Sequence, residues 1–285
     1  MRVLIIGGSS LLGKYLTATK PDKVNLSLTW FTNYTGLPML QLDVSNKSQI
    51  AYVFEKVKPQ VVIHCAAVGS VDYTEAHFTE THHVNVTGMK NVLKATRDIG
   101  GSFIYISTNA VFDGNNPPYS EISPCQPINR YGRIKHEAEL AVQSERDWLI
   151  IRPFLLYGWP YLGGRTNWFA TIIKNLMSGE VTKLVDDRYW QHTFAEDVAL
   201  TIWRLIELGV KEEVYNVAAD ESMSLFEFGK AISEIWGYDT NLIQSIASSE
   251  LKIAPRPINT TFDLTKIHNL GIQLRGVEEG LKTLK

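Results

Sequence analysis

The chain has 285 residues, 45% hydrophobic and 20% charged, with a formal net charge of −2. That length suits one large domain or one and a half around a substantial core, the charge balance offers no basic field for nucleic acid, and no apolar run is long enough to span a bilayer. Two cysteines, Cys65 and Cys125, suit a reducing compartment, and Met1 leads directly into an apolar strand. The expectation is a cytoplasmic protein whose partners are small molecules or protein.

Arg2-Val-Leu-Ile-Ile6 reads as a fully buried strand that runs into Gly7-Gly-Ser-Ser-Leu-Leu-Gly13 and a helix over 11–18. A strand, a glycine-rich turn and a helix start form a phosphate site, because free backbone N–H groups and the helix dipole favour an anion. Apolar runs at 24–30, 39–42, 61–64, 103–107 and 148–151 predict further strands, and helices are expected over 48–57, 79–98 and 131–144. Uninterrupted apolar runs indicate a parallel sheet covered on both faces, and the alternation of β and α units indicates a doubly wound, Rossmann-type α/β fold. Beyond Arg152-Pro153 comes an aromatic and glycine-rich loop at 157–164, then helices over 167–177, 195–208 and 225–236 with short strands at 181–185, 214–217 and 242–246. The expected division is a Rossmann domain over 1–155, with later segments returning to its sheet, and a smaller lobe over 156–285.

The chemistry concentrates in Ile104-Tyr-Ile-Ser-Thr-Asn-Ala-Val-Phe-Asp-Gly114 and Tyr131-Gly-Arg-Ile-Lys135, which present a hydroxyl, a phenol and an amine in an order suited to carbonyl chemistry. Tyr131 and Lys135 share one helix face. A phenol titrates near ~10 unless a positive charge stabilises the phenolate, and Lys135 is placed to supply it. The Tyr-x-x-x-Lys spacing carries little weight alone and gains it from the phosphate turn. His77, His82 and His83 crowd one helical region without a ligand spacing, so no metal site is assigned.

Together these residues resemble the extended short-chain dehydrogenase/reductase family, and within it the dTDP-4-dehydrorhamnose reductase branch. The anchors span nearly the whole chain: the turn from Gly7 to Gly13, Asp43-Val44, His64-Cys-Ala-Ala67 with Val71-Asp72, Val84-Asn-Val-Thr-Gly88, Ser107 to Gly114, Tyr131 to Lys135, Arg152-Pro153, and Arg256-Pro-Ile-Asn259 with Asp263. The resemblance implies a substrate cleft between the lobes, with Thr108 hydrogen-bonding the substrate carbonyl, Tyr131 protonating it, and Lys135 stabilising the phenolate and holding the nicotinamide ribose. It places the cofactor on Gly7, Ser9, Ser10, Leu11, Leu12, Gly13, Cys65, Ala66 and Ala67 as well as Tyr131 and Lys135. Asp43 and Val44 either meet the adenine or close a strand ahead of a helix capped near Ser45, and Asn85 either anchors a relay water or bonds locally. A sugar nucleotide is expected on Val68, Asn109, Val111, Phe112, Asn167 and Arg256, with Arg165 and Arg188 as further candidates for its phosphates.

Cofactor type is read at Thr29-Trp-Phe-Thr-Asn-Tyr34, which has neither a carboxylate to repel a 2′-phosphate nor an arginine to bind it; this favours NADP and leaves NAD open. Three departures from the family pattern stand out. Ser10 occupies the middle glycine position, where its hydroxyl either donates to the pyrophosphate or obstructs it. Asn109-Ala110 replaces the acidic pair of sugar-nucleotide dehydratases, and Asn109 also replaces an Asp usual in the reductases. Leu155 replaces a polar or aromatic residue. The resulting expectation is NADP- or NAD-dependent reduction of a 4-keto deoxysugar nucleotide by a homodimer, the alternatives being a 4-epimerase and a nucleotide-binding regulatory subunit like that of methionine adenosyltransferase.

Overall fold

A computed structural model of the protein describes residues 1–251 and 253–285. The first half alternates strand and helix: β1 Arg2–Ile6, α1 Leu11–Ala18, β2 Asn25–Trp30, β3 Leu40–Gln41, α2 Lys47–Val57 and β4 Val61–His64. The helices α3 Val71–Ala76, α4 Phe78–His82 and α5 Met89–Asp98 lead to β5 Ser102–Ile106, α6 Arg130–Gln143 and β6 Trp148–Pro153. The second half contributes β7 Leu156–Tyr157, α7 Trp168–Met177, β8 Thr182–Val185, β9 Thr193–Phe194, α8 Ala195–Glu207, β10 Glu213–Val217, α9 Leu225–Trp236 and β11 Ile243–Ile246. Two helices, α10 Thr265–His268 and α11 Val277–Leu284, end the chain.

Seven strands form one parallel sheet in the order β10-β6-β5-β4-β1-β2-β3. The strand order reverses beside β1, where chain leaving β1 and β4 diverges and opens a crevice at the strands' carboxyl ends. Alternate residues of β1 serve the two faces. Val3 and Ile5 join the core with α1, α7 and α8, and Leu4 and Ile6 join the core with α2, α5 and α6. Burial on both sides is why the strands read as unbroken apolar runs. β10 returns from the second half to pair with β6, while β11 pairs with β8 and β7 with β9 in two small sheets.

The helix expected over 79–98 is not one regular rod. It breaks into α4, a π turn at His83–Gly88 and α5, preceded by α3. The π turn carries Asn85, whose carboxamide accepts from Val68 N at 2.8 Å and donates to Val68 O at 3.0 Å. Two backbone bonds to a loop favour this local widening over a continuous i→i−4 ladder. No helix among the described residues is long and apolar enough to cross a membrane.

Candidate active site

A cleft of about 850 Å³ lies over the carboxyl ends of β1, β4 and β5. Gly7, at φ +80°, starts its floor: a Cβ there would come within 2.8 Å of Ala66 N, so only glycine lets the chain turn this close to the β4 exit. Thr29 Oγ1 accepts from Gly7 N at 3.1 Å and fixes the turn to β2. Ser10 caps α1, its Oγ accepting from Gly13 N at 3.1 Å. The N–H groups of Ser9, Leu11 and Leu12 have no acceptor among the described residues, and all three residues line the cleft. They form a cradle for an anion at a helix start. Because Ser10 Oγ uses a lone pair as the cap, its hydroxyl proton remains available to a phosphate oxygen. Ser10→Ala should therefore cost about 1 kcal/mol of stability through the lost cap and about 0.5–1.5 kcal/mol of dinucleotide binding. Ser10→Gly, which caps nearly as well but lacks the hydroxyl, should lose only the binding; thermal melts with calorimetric titration separate the two.

Thr108 lies two residues beyond β5, on the cleft wall, and caps a short 3₁₀ turn at Asn109–Val111 through its Oγ, which accepts from Ala110 N at 3.1 Å. That turn is pressed against the start of α6. A Cβ at Gly132 would sit 2.1 Å from Ala110 O, so the missing side chain lets α6 approach closely enough to bring the Tyr131 phenol beside Thr108 on the cleft wall. Asn129 starts α6 by accepting from Gly132 N at 2.8 Å and ties it to the C-terminal segment by donating to Pro255 O at 2.9 Å.

Lys135 follows one turn later, buried at 2% exposure, with Nζ donating to Ile106 O at 2.6 Å and 4.1 Å above the Tyr105 ring. Burial pulls its pKa down to about 7 against the pull of Glu139. Burial also pushes the Tyr131 phenol up to about 12, opposed by the nearby Thr108 hydroxyl. Lys135 lies one turn beyond the phenol as expected, and in this state the phenol stays protonated at neutral pH. A protonated phenol beside a hydroxyl is fit to donate a proton.

Of the other residues singled out from sequence, Leu11, Leu12, Asp43, Val44, Cys65, Ala66, Ala67, Val68 and Asn109 line the same cleft. Asp43 Oδ1 accepts from Ser45 N at 2.8 Å and Ser45 Oγ at 2.7 Å, and α2 is capped by Asn46. Asn167 lines the cleft but spends its amide capping α7 and donating to Gly158 O at 2.9 Å. Arg256 faces the cleft with its guanidinium forked on Asp72 at 3.0 and 2.7 Å. Arg165 lines the wall without an ion pair among the described residues, whereas Arg188 lies off it.

Four assignments are not brought to the wall. Gly13 packs against Gly8, where a Cβ would meet Gly8 O at 2.5 Å. Asn85 is spent on Val68, making it a support for that loop of the cleft wall. Val111 and Phe112 are fully buried, Phe112 stacking on Tyr119 at 4.4 Å, so they belong to the core. Sequence reasoning missed Trp168, Trp190 and Thr260, which reach the wall only through the tertiary return of the second half. His82 pairs with Glu137 at 2.9 Å on an exposed helix face. Cys125, His136 and Glu139 lie close enough to suggest a cation site, but Arg152 already binds Glu139 and Cys125.

The family model described as RmlD substrate binding domain matches residues 1–284. A dTDP-4-dehydrorhamnose reductase from Bacillus anthracis, solved in complex with NADP, superposes with a TM-score of 0.89 at 30% identity, over 99% of this chain and 98% of that one. The dTDP-4-dehydrorhamnose reductase of Aggregatibacter actinomycetemcomitans is 26% identical, over 100% of this chain and 98% of the relative. Methionine adenosyltransferase 2 subunit beta of Xenopus tropicalis is 27% identical, over 98% of this chain and 87% of the relative. The chain belongs to the RmlD substrate binding domain family, the dTDP-4-dehydrorhamnose reductase branch of the extended short-chain dehydrogenase/reductases.

Proposed function

We propose that this protein is an NADP-dependent sugar-nucleotide oxidoreductase that reduces the 4-keto group of a deoxysugar nucleotide, most simply dTDP-4-dehydrorhamnose. The observation that carries the reading is the meeting of Thr108, Tyr131 and Lys135 in one cleft with the anion cradle of α1. The cradle and the open backbone at Gly7 fit a dinucleotide pyrophosphate. NADPH bound there would supply the hydride. Ser9, Ser10, Leu11 and Leu12 would hold its phosphates, and Lys135 its ribose. Phe31, Thr32 and Asn33 line the cleft with neither a carboxylate to repel a 2′-phosphate nor a cation to bind it, which favours NADPH and leaves NADH open.

The chain's own part in the reaction is binding, orientation and one proton. Thr108 fixes the carbonyl oxygen, Tyr131 Oη delivers its proton as the oxygen gains charge, and buried Lys135 draws the phenolate left behind toward stability. Asn109 and Ala110 provide no acid–base pair for removing water. The residues over 156–285, with Arg165 on the cleft wall, would bind the substrate's nucleotide diphosphate.

A second reading rests on the similarity to methionine adenosyltransferase 2 subunit beta, in which the fold would bind a dinucleotide and serve as a regulatory partner. Purified protein given a panel of 4-keto sugar nucleotides separates the two. Consumption of NADPH with one of them supports the reductase, and tight dinucleotide binding without turnover on any of them supports the partner protein.

A further inference from the structure

Behind the phenol, the face of α6 turned to the sheet carries a second buried charge. Glu139 lies one turn after Lys135, at 1% exposure. Both of its oxygens are held by Arg152, reaching from β6, with Nε–Oε1 at 2.9 Å and Nη2–Oε2 at 2.6 Å. Arg152 is itself 3% exposed and also donates to Glu121 O at 3.2 Å and Cys125 Sγ at 3.3 Å. Lys135 has no carboxylate within ion-pair distance among the described residues. Two cations and one anion are therefore enclosed together, where Coulomb interactions are weakly screened.

We propose that Glu139, anchored by Arg152, is a positioning residue for the reaction: its carboxylate is the counter-charge that keeps the Lys135 ammonium charged while the ammonium serves the phenol and the cofactor ribose. The other groups around Lys135 cannot take this part. From β4 and its exit, His64 is held neutral at about 3 by burial and by Lys135, and burial pushes the Cys65 thiol up to about 12. From β5, burial drives Tyr105 well above its ordinary range, and on α6 Tyr131 is pushed up to about 12. All are uncharged at neutral pH. What remains is Glu139, the leading group that opposes the fall of Lys135, and Arg152, which fixes where that carboxylate stands.

The inference rests on the roles given to Tyr131 and Lys135 above, and its test is read first without any sugar. Glu139→Gln leaves a buried guanidinium unpaired and risks misfolding, so it is paired with Glu139→Leu/Arg152→Met, which removes both charges and restores an apolar interior. NADPH affinity of the wild-type protein should weaken as pH rises and Lys135 loses its proton. In either variant that loss should begin about one pH unit lower or more, with affinity at mildly acidic pH within about threefold of wild type. Lys135→Met should flatten the profile. Where a sugar is turned over, the alkaline limb of kcat should move by the same amount. A loss that begins at the same pH in the folded double variant, or a rate reduced equally at every pH, overturns the proposal. If no sugar is reduced by wild-type protein, the reductase reading fails, and the cofactor profile still decides the part played by Glu139.

Discussion

Replacing Tyr131 by Phe will lower turnover by about 10²-fold or more while leaving cofactor affinity unchanged. The ring fills the same space between α6 and the turn after β5, so only the hydroxyl that reaches Thr108 is lost. Because the phenol is protonated throughout the neutral range, wild-type reduction should not depend on its ionisation below strongly alkaline pH. Single-turnover kinetics, in which chemistry sets the rate, provide the check. A variant that retains near-normal turnover under those conditions would remove Tyr131 from the chemistry.

Lys135→Met is expected to lose activity to a similar extent and, unlike the phenol variant, to weaken dinucleotide binding by about 1.5–3 kcal/mol, as for one charge-assisted hydrogen bond. The stability effect should run the other way. Burial already depresses the ammonium to about 7, which marks a folded state that holds this charge at a cost. An apolar side chain of similar length removes that cost, so the variant should melt no lower than the parent. Calorimetric titration and thermal melts together distinguish a ribose-holding cation from a structural one, because a structural lysine would lose stability and leave binding intact.

What the sequence revealed depends on whether the deciding contacts are local. β1 was legible because a strand buried on both faces is apolar at every position, and Gly7 because a turn at positive φ beside Ala66 admits no side chain. Tyr131 and Lys135 were legible as a helical pair. The π turn was not, since it depends on Asn85 meeting Val68 across a loop 17 residues away. Val111 and Phe112 were drawn to the site by their neighbourhood in the chain, yet the 3₁₀ turn rotates them into the core. Trp168, Trp190 and Thr260 carry no local signal and arrive by tertiary folding. The desolvation of the phenol was not legible, because spacing shows the nearby charge and conceals the burial.

The central claim, that this cleft moves a hydride onto a sugar carbonyl with Tyr131 supplying the proton, is tested most directly with NADPH deuterated at its transferable position and a dTDP-4-keto-6-deoxysugar. The account predicts one deuterium fixed at C4 of the product for each cofactor oxidised, with Tyr131→Phe suppressing both in parallel. Interconversion of sugars without net cofactor oxidation, as an epimerase would give, or unaltered sugar beside firmly bound dinucleotide, as a regulatory subunit would give, would contradict it.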